Sequence, residues 1–196
     1  FILRILRDSN AIVGAEDCLS ASTIDLLKKS LSRSINRLHS EDQLDEAVPT
    51  MHLVCVLALL VGPDRDDFFK AFEVPLKKVI ECSSVGEVIQ NLAVFALAFV
   101  SYICSNDSLM ETLTYTEDLI VNGPHEMTDL PYLQACKSWI LLCGALDNYE
   151  VYVLQRSREE IFEAISSILE YSLDTEGRTF SGLSLTFLFE TAAVFH

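Results

Sequence analysis

Four stretches of the chain are apolar almost without interruption: HLVCVLALL (52–60), NLAVFALAFV (91–100), SWILLCGAL (138–146) and SLTFLFETA (184–192). Between them, apolar residues recur three and four positions apart, as in Ile24, Leu27, Leu31, Ile35 and Leu38. That is the period of a helix with one buried face. Helix-start signals precede these segments. Ser40 with Gln43, Ser84 with Glu87, Ser108 with Glu111 and Ser157 with Glu160 fit a capping box, and Ser22 with Asp25 and Asp64 with Asp67 fit looser versions. Thr128 or Asp129 can cap a helix that has Pro131 in its first turn. The pattern predicts helices over 22–39, 41–61, 65–82, 85–105, 109–122, 130–146, 158–172 and 176–194, and no strand. Gly62-Pro63, Asn106-Asp107, Gly123-Pro124 and Asp147-Asn148 separate them.

The starts are periodic. Odd helices begin after Ser22, Asp64, Ser108 and Ser157, in steps of 42, 44 and 49 residues; even helices begin after Ser40, Ser84, Thr128 and Thr175, in steps of 44, 44 and 47. Helix pairs at this interval are the period of HEAT and armadillo repeats. The expected fold is therefore all-α, a right-handed α-solenoid of about four antiparallel helix pairs forming one cooperative stack. The even, nearly continuous apolar helices would be buried on most sides, with the amphipathic odd helices outside. Residues 1–20 read as the end of a preceding helix and a linker, and 21–196 as the repeat domain of a longer chain. Pro75 should kink the third helix or split it in two. The longest apolar run, Leu92 to Cys104, falls short of the ~20 residues a membrane span needs and reads as a buried helix.

Charge adds a second feature. The 196 residues carry 14 basic and 29 acidic side chains, a net charge of −15. Residues 1–40 hold six basic residues (Arg4, Arg7, Lys28, Lys29, Arg33, Arg37) against four acidic ones (Asp8, Glu16, Asp17, Asp25), so this stretch is +2 and the remainder −17. Nucleic acid is repelled by the chain as a whole, so any contact with it needs a local basic patch. Lys29, Arg33 and Arg37 are spaced four apart. At roughly 100° per residue they occupy an arc of about 80°, opposite the apolar side, and Lys28 with Arg4 or Arg7 could extend it. The stripe fits a solvated helix face or a contact with phosphate or an acidic partner. Arg156 and Arg158 open the seventh helix, where free N–H groups suit phosphate, although Glu159 and Glu160 follow at once. These six, Lys28, Lys29, Arg33, Arg37, Arg156 and Arg158, are the candidate nucleic-acid-binding residues.

Other groups read as structural. The adjacent acids Asp66-Asp67, Glu117-Asp118 and Glu159-Glu160 diverge around their helices and suit solvated faces and helix N-termini. Lys77-Lys78 suits a helix C-terminus. Trp139, Phe95, Phe99, Phe187 and Phe189 suit core packing rather than base stacking. Cys55, Cys104, Cys136 and Cys143 lie in apolar runs, and neither they nor Cys18 and Cys82 form a C-x-x-C. Buried reduced thiols, no disulfide and no metal are expected. Phosphate-loop, dinucleotide, zinc-protease and serine-hydrolase motifs are absent from the sequence. The reading is non-enzymatic, without cofactor, small-molecule substrate or membrane partner.

The segment from Leu57 to Leu113 resembles the interferon-related developmental regulator family. The similarity lies in a leucine-rich helix end running into Gly-Pro (Leu59 to Pro63), an acidic stretch (Asp64 to Asp67) and a Phe-rich helix with Pro75 before a leucine (Phe68 to Ile80). A polar break (Ser83 to Gly86) and a Cys- and Ala-containing apolar helix (Leu92 to Cys104) follow. ACKSWILLCGAL around Trp139 and GLSLTFLFETA near the end are also similar, so the likeness spans roughly 22–194. The helix before Gly62 departs from the family in not being Ala-rich over Val48 to Val56. The resemblance implies a helical-repeat protein without catalytic residues. It also implies a cytoplasmic factor that binds and helps silence translationally inactive ribosomes, through ribosomal RNA and ribosomal proteins. The alternative it implies is a scaffold for transcriptional co-regulation, which would place the protein in the nucleus as well.

Overall fold

The computed structural model describes residues 21–36, 42–82, 85–105, 108–122, 130–146, 159–172 and 175–193. Among these, the regular structure is eight α-helices: α1 (Ala21–Asn36), α2 (Asp42–Val61), α3 (Asp66–Glu81), α4 (Glu87–Cys104), α5 (Leu109–Val121), α6 (Leu130–Cys143), α7 (Glu159–Tyr171) and α8 (Thr175–Ala193). The fold is all-α, in packed helix pairs of the repeat type. The contacts divide the chain into two compact units, Phe1–Asp107 and Ser108–His196. In the first, α1 packs on α2 and α3 on α4, while α1 also packs on α3 and α2 on α4. In the second, α5 packs on α6 and α7 on α8, with α5 on α7 and α6 on α8. Each unit is thus two layers, odd helices against odd and even against even, as the ~44-residue spacing predicts.

In the first unit the amphipathic helix α3 buries Phe68, Phe69, Phe72, Leu76, Val79 and Ile80, one face at helical spacing. Phe68 and Phe72 stack one turn apart, with ring centroids 5.0 Å from each other. Helix α3 runs unbroken through Pro75, so the proline does not split it. Helix α4 buries Ile89, Ala93, Val94, Ala96, Leu97, Ala98, Val100, Ser101 and Cys104. At 18 residues it is long and apolar enough to cross a bilayer by length and composition, and half of it is buried inside the protein. The thirteen-residue run therefore understated the helix; its cover, not its length, accounts for the apolar composition. Helix α3 lies antiparallel to α4. The Arg65 N–H donates to the Cys104 carbonyl at 2.7 Å at one end, and the Gln90 amide donates to the Ile80 and Cys82 carbonyls at 3.0 and 3.1 Å at the other.

Two expectations need correction. At the described N-caps Arg65, Gly86 and Ser108, no side chain caps the helix. A capping box would satisfy the N-cap N–H with the side chain three residues on. At α3 the N-cap is Arg65, one residue beyond the expected Asp64; its N–H donates to the Cys104 carbonyl, and Asp67 turns to its guanidinium (Nε to Oδ1, 3.0 Å). Helix α4 starts after Gly86, two residues beyond the expected Ser84, and α1 already includes Ser22. Ser40, Ser157, Thr128 and Asp129 lie outside the described residues. The second correction concerns α8, which is not buried on most sides. Its inward face is Gly177, Ser181, Ser184 and Leu188, while Leu183 and Phe189 are more than half exposed. Small residues let α8 approach its neighbours closely, and its bulkier apolar groups turn out.

Cys55, Cys104, Cys136 and Cys143 are buried free thiols and Cys82 is half-buried; Cys18 lies outside the described residues. Burial pushes Cys55 and Cys104 up to about 11 and Cys136 up to about 12, and raises Cys143 as well. The buried thiols therefore behave as small hydrophobes.

Two outcomes follow from this core. Phe72→Ala should lower the urea-unfolding free energy by about 3–5 kcal/mol, read by far-ultraviolet circular dichroism, because Phe72 is fully buried. A loss below about 1 kcal/mol would contradict the packing. For the thiols, the unfolded chain releases the Cys136 proton above about 8.5 while the folded chain retains it, so stability falls as pH rises past that value. The slope should reach up to about 1.4 kcal/mol per pH unit for this thiol and be shallower in Cys136→Ala. Equal slopes in the two proteins would contradict its burial.

Candidate nucleic-acid interface

Helix α1 is held to α2 by its inward side. Leu27 is buried, Thr23 and Ile24 are half-buried, and the Ser30 and Thr50 hydroxyls hydrogen-bond at 2.9 Å. At roughly 100° per residue, Lys29 falls about 200° from Leu27, on the far side of the helix, and Lys28 to one flank. Lys29 is accordingly exposed and Lys28 half-buried. Arg33 lies within α1 one turn after Lys29, so its backbone position continues the same face. Arg37, Arg156 and Arg158 lie outside the described residues, as do Arg4 and Arg7. The structure thus brings Lys28, Lys29 and Arg33 onto one helix. Asp25, exposed and one turn before Lys29, shares that face and lowers its positive density; i, i−4 spacing in the sequence was the signal that could have found it.

Elsewhere, four cations are neutralised locally. Arg65 pairs with Asp67, Lys70 with Asp66, Lys77 with Glu73 at 2.6 Å and Lys137 with Glu176. Lys77 is therefore a partner of a carboxylate one turn back rather than a group serving the helix end; Lys78 occupies the last turn. Lys137 also sits 4.5 Å from the centroid of the Phe180 ring. The Arg65 guanidinium holds the Asp67 carboxyl below its ordinary value. Lys28 and Lys29 form no ion pair with another described residue, and the same holds for Lys78 and Arg178. No group of three or more His, Cys, Asp and Glu side chains among the described residues could hold a metal ion.

The acidic pairs and aromatics divide. Glu159 and Glu160 are exposed at the start of α7, as expected. Glu117 is not on a solvated face: it is buried on α5, where its carboxylate accepts a hydrogen bond from the Trp139 indole N–H at 3.2 Å, while Asp118 points out. The sequence pattern missed this because it scored Glu117 by its charge. The i, i+4 set of Leu113, Glu117 and Val121, beside Thr116 and Ile120, places it on the inward arc. Trp139 is core, as expected. Phe95 and Phe99 are half-buried and stack on each other at 5.5 Å. Phe189 is not core; it is exposed and meets Phe162 edge-on at 5.6 Å, and Phe187 is half-buried.

Trp139 is the only tryptophan of the chain, so its fluorescence reports this contact. Glu117→Ala leaves a buried indole N–H without its acceptor and should cost about 1–3 kcal/mol in a urea titration followed by that emission. Glu117→Gln retains a carbonyl acceptor and should lose less than half as much. Equal losses in the two variants would mean that the hydrogen bond contributes nothing.

Comparison with known proteins gives one family. The model of the interferon-related developmental regulator (IFRD) matches residues 15–195. No curated protein and no solved structure gives a significant match. The matched span takes in every described helix and contains the 22–194 stretch that carries the resemblance. The chain belongs to the interferon-related developmental regulator family.

Proposed function

We propose that the chain is a non-enzymatic ribosome-binding factor that occupies translationally inactive ribosomes and helps to keep them silent. The action is occlusion: a rigid helical-repeat body fills a site that transfer RNA or messenger RNA needs. Family membership motivates the reading. The observation that carries it to particular residues is the helix α1, where Lys28 and Lys29 stand without an ion-pair partner among the described residues. This helix lies in the net-basic part of a chain that is otherwise strongly acidic. Lys29, Arg33 and Arg37 would take ribosomal RNA phosphates, with Lys28 beside them, and Arg156 and Arg158 a second phosphate at the start of α7. The acidic faces would meet basic ribosomal proteins. On this reading the protein acts in the cytoplasm.

Sucrose-gradient sedimentation with ribosomes tests the proposal. The chain should comigrate with monosomes, and affinity should fall steeply with salt because each phosphate contact releases counterions. The triple variant Lys29→Glu, Arg33→Glu, Arg37→Glu should weaken binding by several kcal/mol at low salt, at about 1 kcal/mol or more per charge-assisted contact. Reversing the exposed pair Glu159 and Glu160 to Lys serves as the control for a change of net charge. A folded triple variant that binds as the wild type does would reduce the stripe to a solvated face. A chain that stays at the top of the gradient would favour the transcriptional scaffold.

A further inference from the structure

Helices α7 and α8 share an apolar flank. At one end the Phe162 and Phe189 rings meet edge-on at 5.6 Å. At the other, the Leu169 Cδ1 lies 3.7 Å from where a side chain on Gly182 would begin. These two contacts set two stripes side by side and antiparallel. On α7 the stripe is Glu159, Phe162, Ser166 and Leu169, spaced three, four and three residues apart. On α8 it is Arg178, Gly182, Leu185 and Phe189, spaced four, three and four apart. The flank faces away from α6, because the Lys137 ammonium of that helix sits over the Phe180 ring. At roughly 100° per residue, Gly182 and Phe189 are turned about 200° and 180° from Phe180. Phe189 is 58% and Leu169 39% exposed, and Phe162 and Leu185 are half-buried. An apolar flank on a helix pair is the kind of surface through which repeats stack on one another.

Charge selects the occupant. Glu159 opens α7 and Arg178 lies in the first turn of α8; both are exposed, and neither forms an ion pair with another described residue. Because the helices are antiparallel, Glu159 stands at the Phe162–Phe189 end and Arg178 at the Leu169–Gly182 end. The flank is thus acidic at one end, basic at the other and apolar between. A uniformly charged partner, such as a nucleic acid or a basic helix, would be repelled at one of the two ends. A two-fold axis lying in the plane of the flank, across the helices, exchanges its ends. It sets the acidic end of one copy against the basic end of the other, twice over. We propose that the α7–α8 flank is a self-complementary interface that takes a second copy of this chain, with the apolar stripes packed together and Arg178 of each copy paired with Glu159 of the other. The net charge of −15 on each copy opposes association, so the dimer is reversible and half-formed at roughly 10–100 µM. At the submicromolar concentrations of ribosome sedimentation the chain is monomeric, so the inference is independent of the ribosome reading and reversal of Glu159 remains a charge control there.

Sedimentation equilibrium of the whole chain, without ribosomes and at about 0.15 M salt, tests this over roughly 5–300 µM protein. The wild type should follow a monomer–dimer equilibrium. The double variant Leu169→Ser, Phe189→Ser should dissociate at least about tenfold more readily. Leu183→Ser should associate as the wild type does, because Leu183, 52% exposed, is turned about 100° away from Gly182. Charge reversal gives the sharper test. Arg178→Glu should weaken the dimer at least about threefold by setting like charges together. Glu159→Arg should weaken it as much, although it lowers the net negative charge of each copy and general repulsion alone would then fall. Combining the two reversals should restore wild-type association. Circular dichroism checks each fold, and the charge variants leave every apolar residue in place, so they decide the matter if the double serine variant loses helicity. A wild type that is monomeric throughout the range overturns the proposal. So does a dimer that survives loss of Leu169 and Phe189 in a folded chain, or one that Glu159→Arg tightens.

Discussion

The constraint on which the first unit depends is the cover of α4. A helix that is apolar along 18 residues and lacks a single cation leaves much of its surface unfavourable in water. Two neighbours supply the cover, α3 from the adjacent position in the chain and α2 from the preceding pair. Their register is fixed at one end, where the Arg65 N–H meets the Cys104 carbonyl and the Ser105 hydroxyl meets the Asp66 carboxylate. The Gly62-to-Arg65 turn makes this possible. Gly62 at φ 77° and Asp64 at φ 60° bend the chain tightly enough for α3 to return along α4. Once α3 is so placed, its Phe68, Phe69 and Phe72 have nowhere to go but the interior.

The second unit meets the same demand with a more polar seam. Thr112, Thr116, Glu117, Ser138, Ser181 and Ser184 are all buried. The threonines return their hydroxyls to carbonyls of their own helix, Thr112 to Ser108 and Thr116 to Thr112 and Leu113. Such hydroxyls need no partner across the interface, so they fill space without dictating register. Glu117 does dictate it, because the Trp139 N–H can reach its acceptor in one arrangement of α5 and α6 only. Small residues on α8 then permit close packing at the expense of turning Leu183 and Phe189 outward.

Helix positions were legible in the sequence because apolar period and breakers are local properties. The eight described helices fall within about three residues of the expected bounds. Two-layer pairing was legible for the same reason, since a repeat of ~44 residues places each helix beside its next-but-one neighbour. What could not be read was anything settled by a distant partner. Asp64 with Asp67 fits a cap, yet the helix starts after Arg65, whose N–H goes to a carbonyl 39 residues on and whose guanidinium takes Asp67. Glu117 looked solvated, yet a tryptophan 22 residues on took it inside. An apolar run carries no side-chain size, so SLTFLFETA predicts a buried helix although only Ser184 and Leu188 of it face in, with Leu183 and Phe189 outside. Of the basic stripe, Lys29 stands where the spacing places it, whereas Asp25, which reads as a capping residue for Ser22, lies one turn before Lys29 on the same face.

Asp25 and Lys29 also explain why α1 differs from the other charged helices. Asp66 and Lys70 share their spacing and form an ion pair. The difference lies in the carboxylate: Asp66 is half-buried and held by the Ser105 hydroxyl, so it presents a fixed acceptor to the lysine one turn on. Asp25 is exposed. Orienting two mobile side chains there would return only about 0.3–0.5 kcal/mol, comparable with the rotamer entropy it consumes. Lys77 and Glu73 pair for the reason Asp66 and Lys70 do, since both are shielded, at 25% and 17% exposure. Local burial thus decides which cations of this acidic chain are spent internally. On α1 it leaves Lys29 with nothing to give up when a phosphate or a carboxylate from outside approaches, whereas an anion approaching Lys77 would first have to displace Glu73.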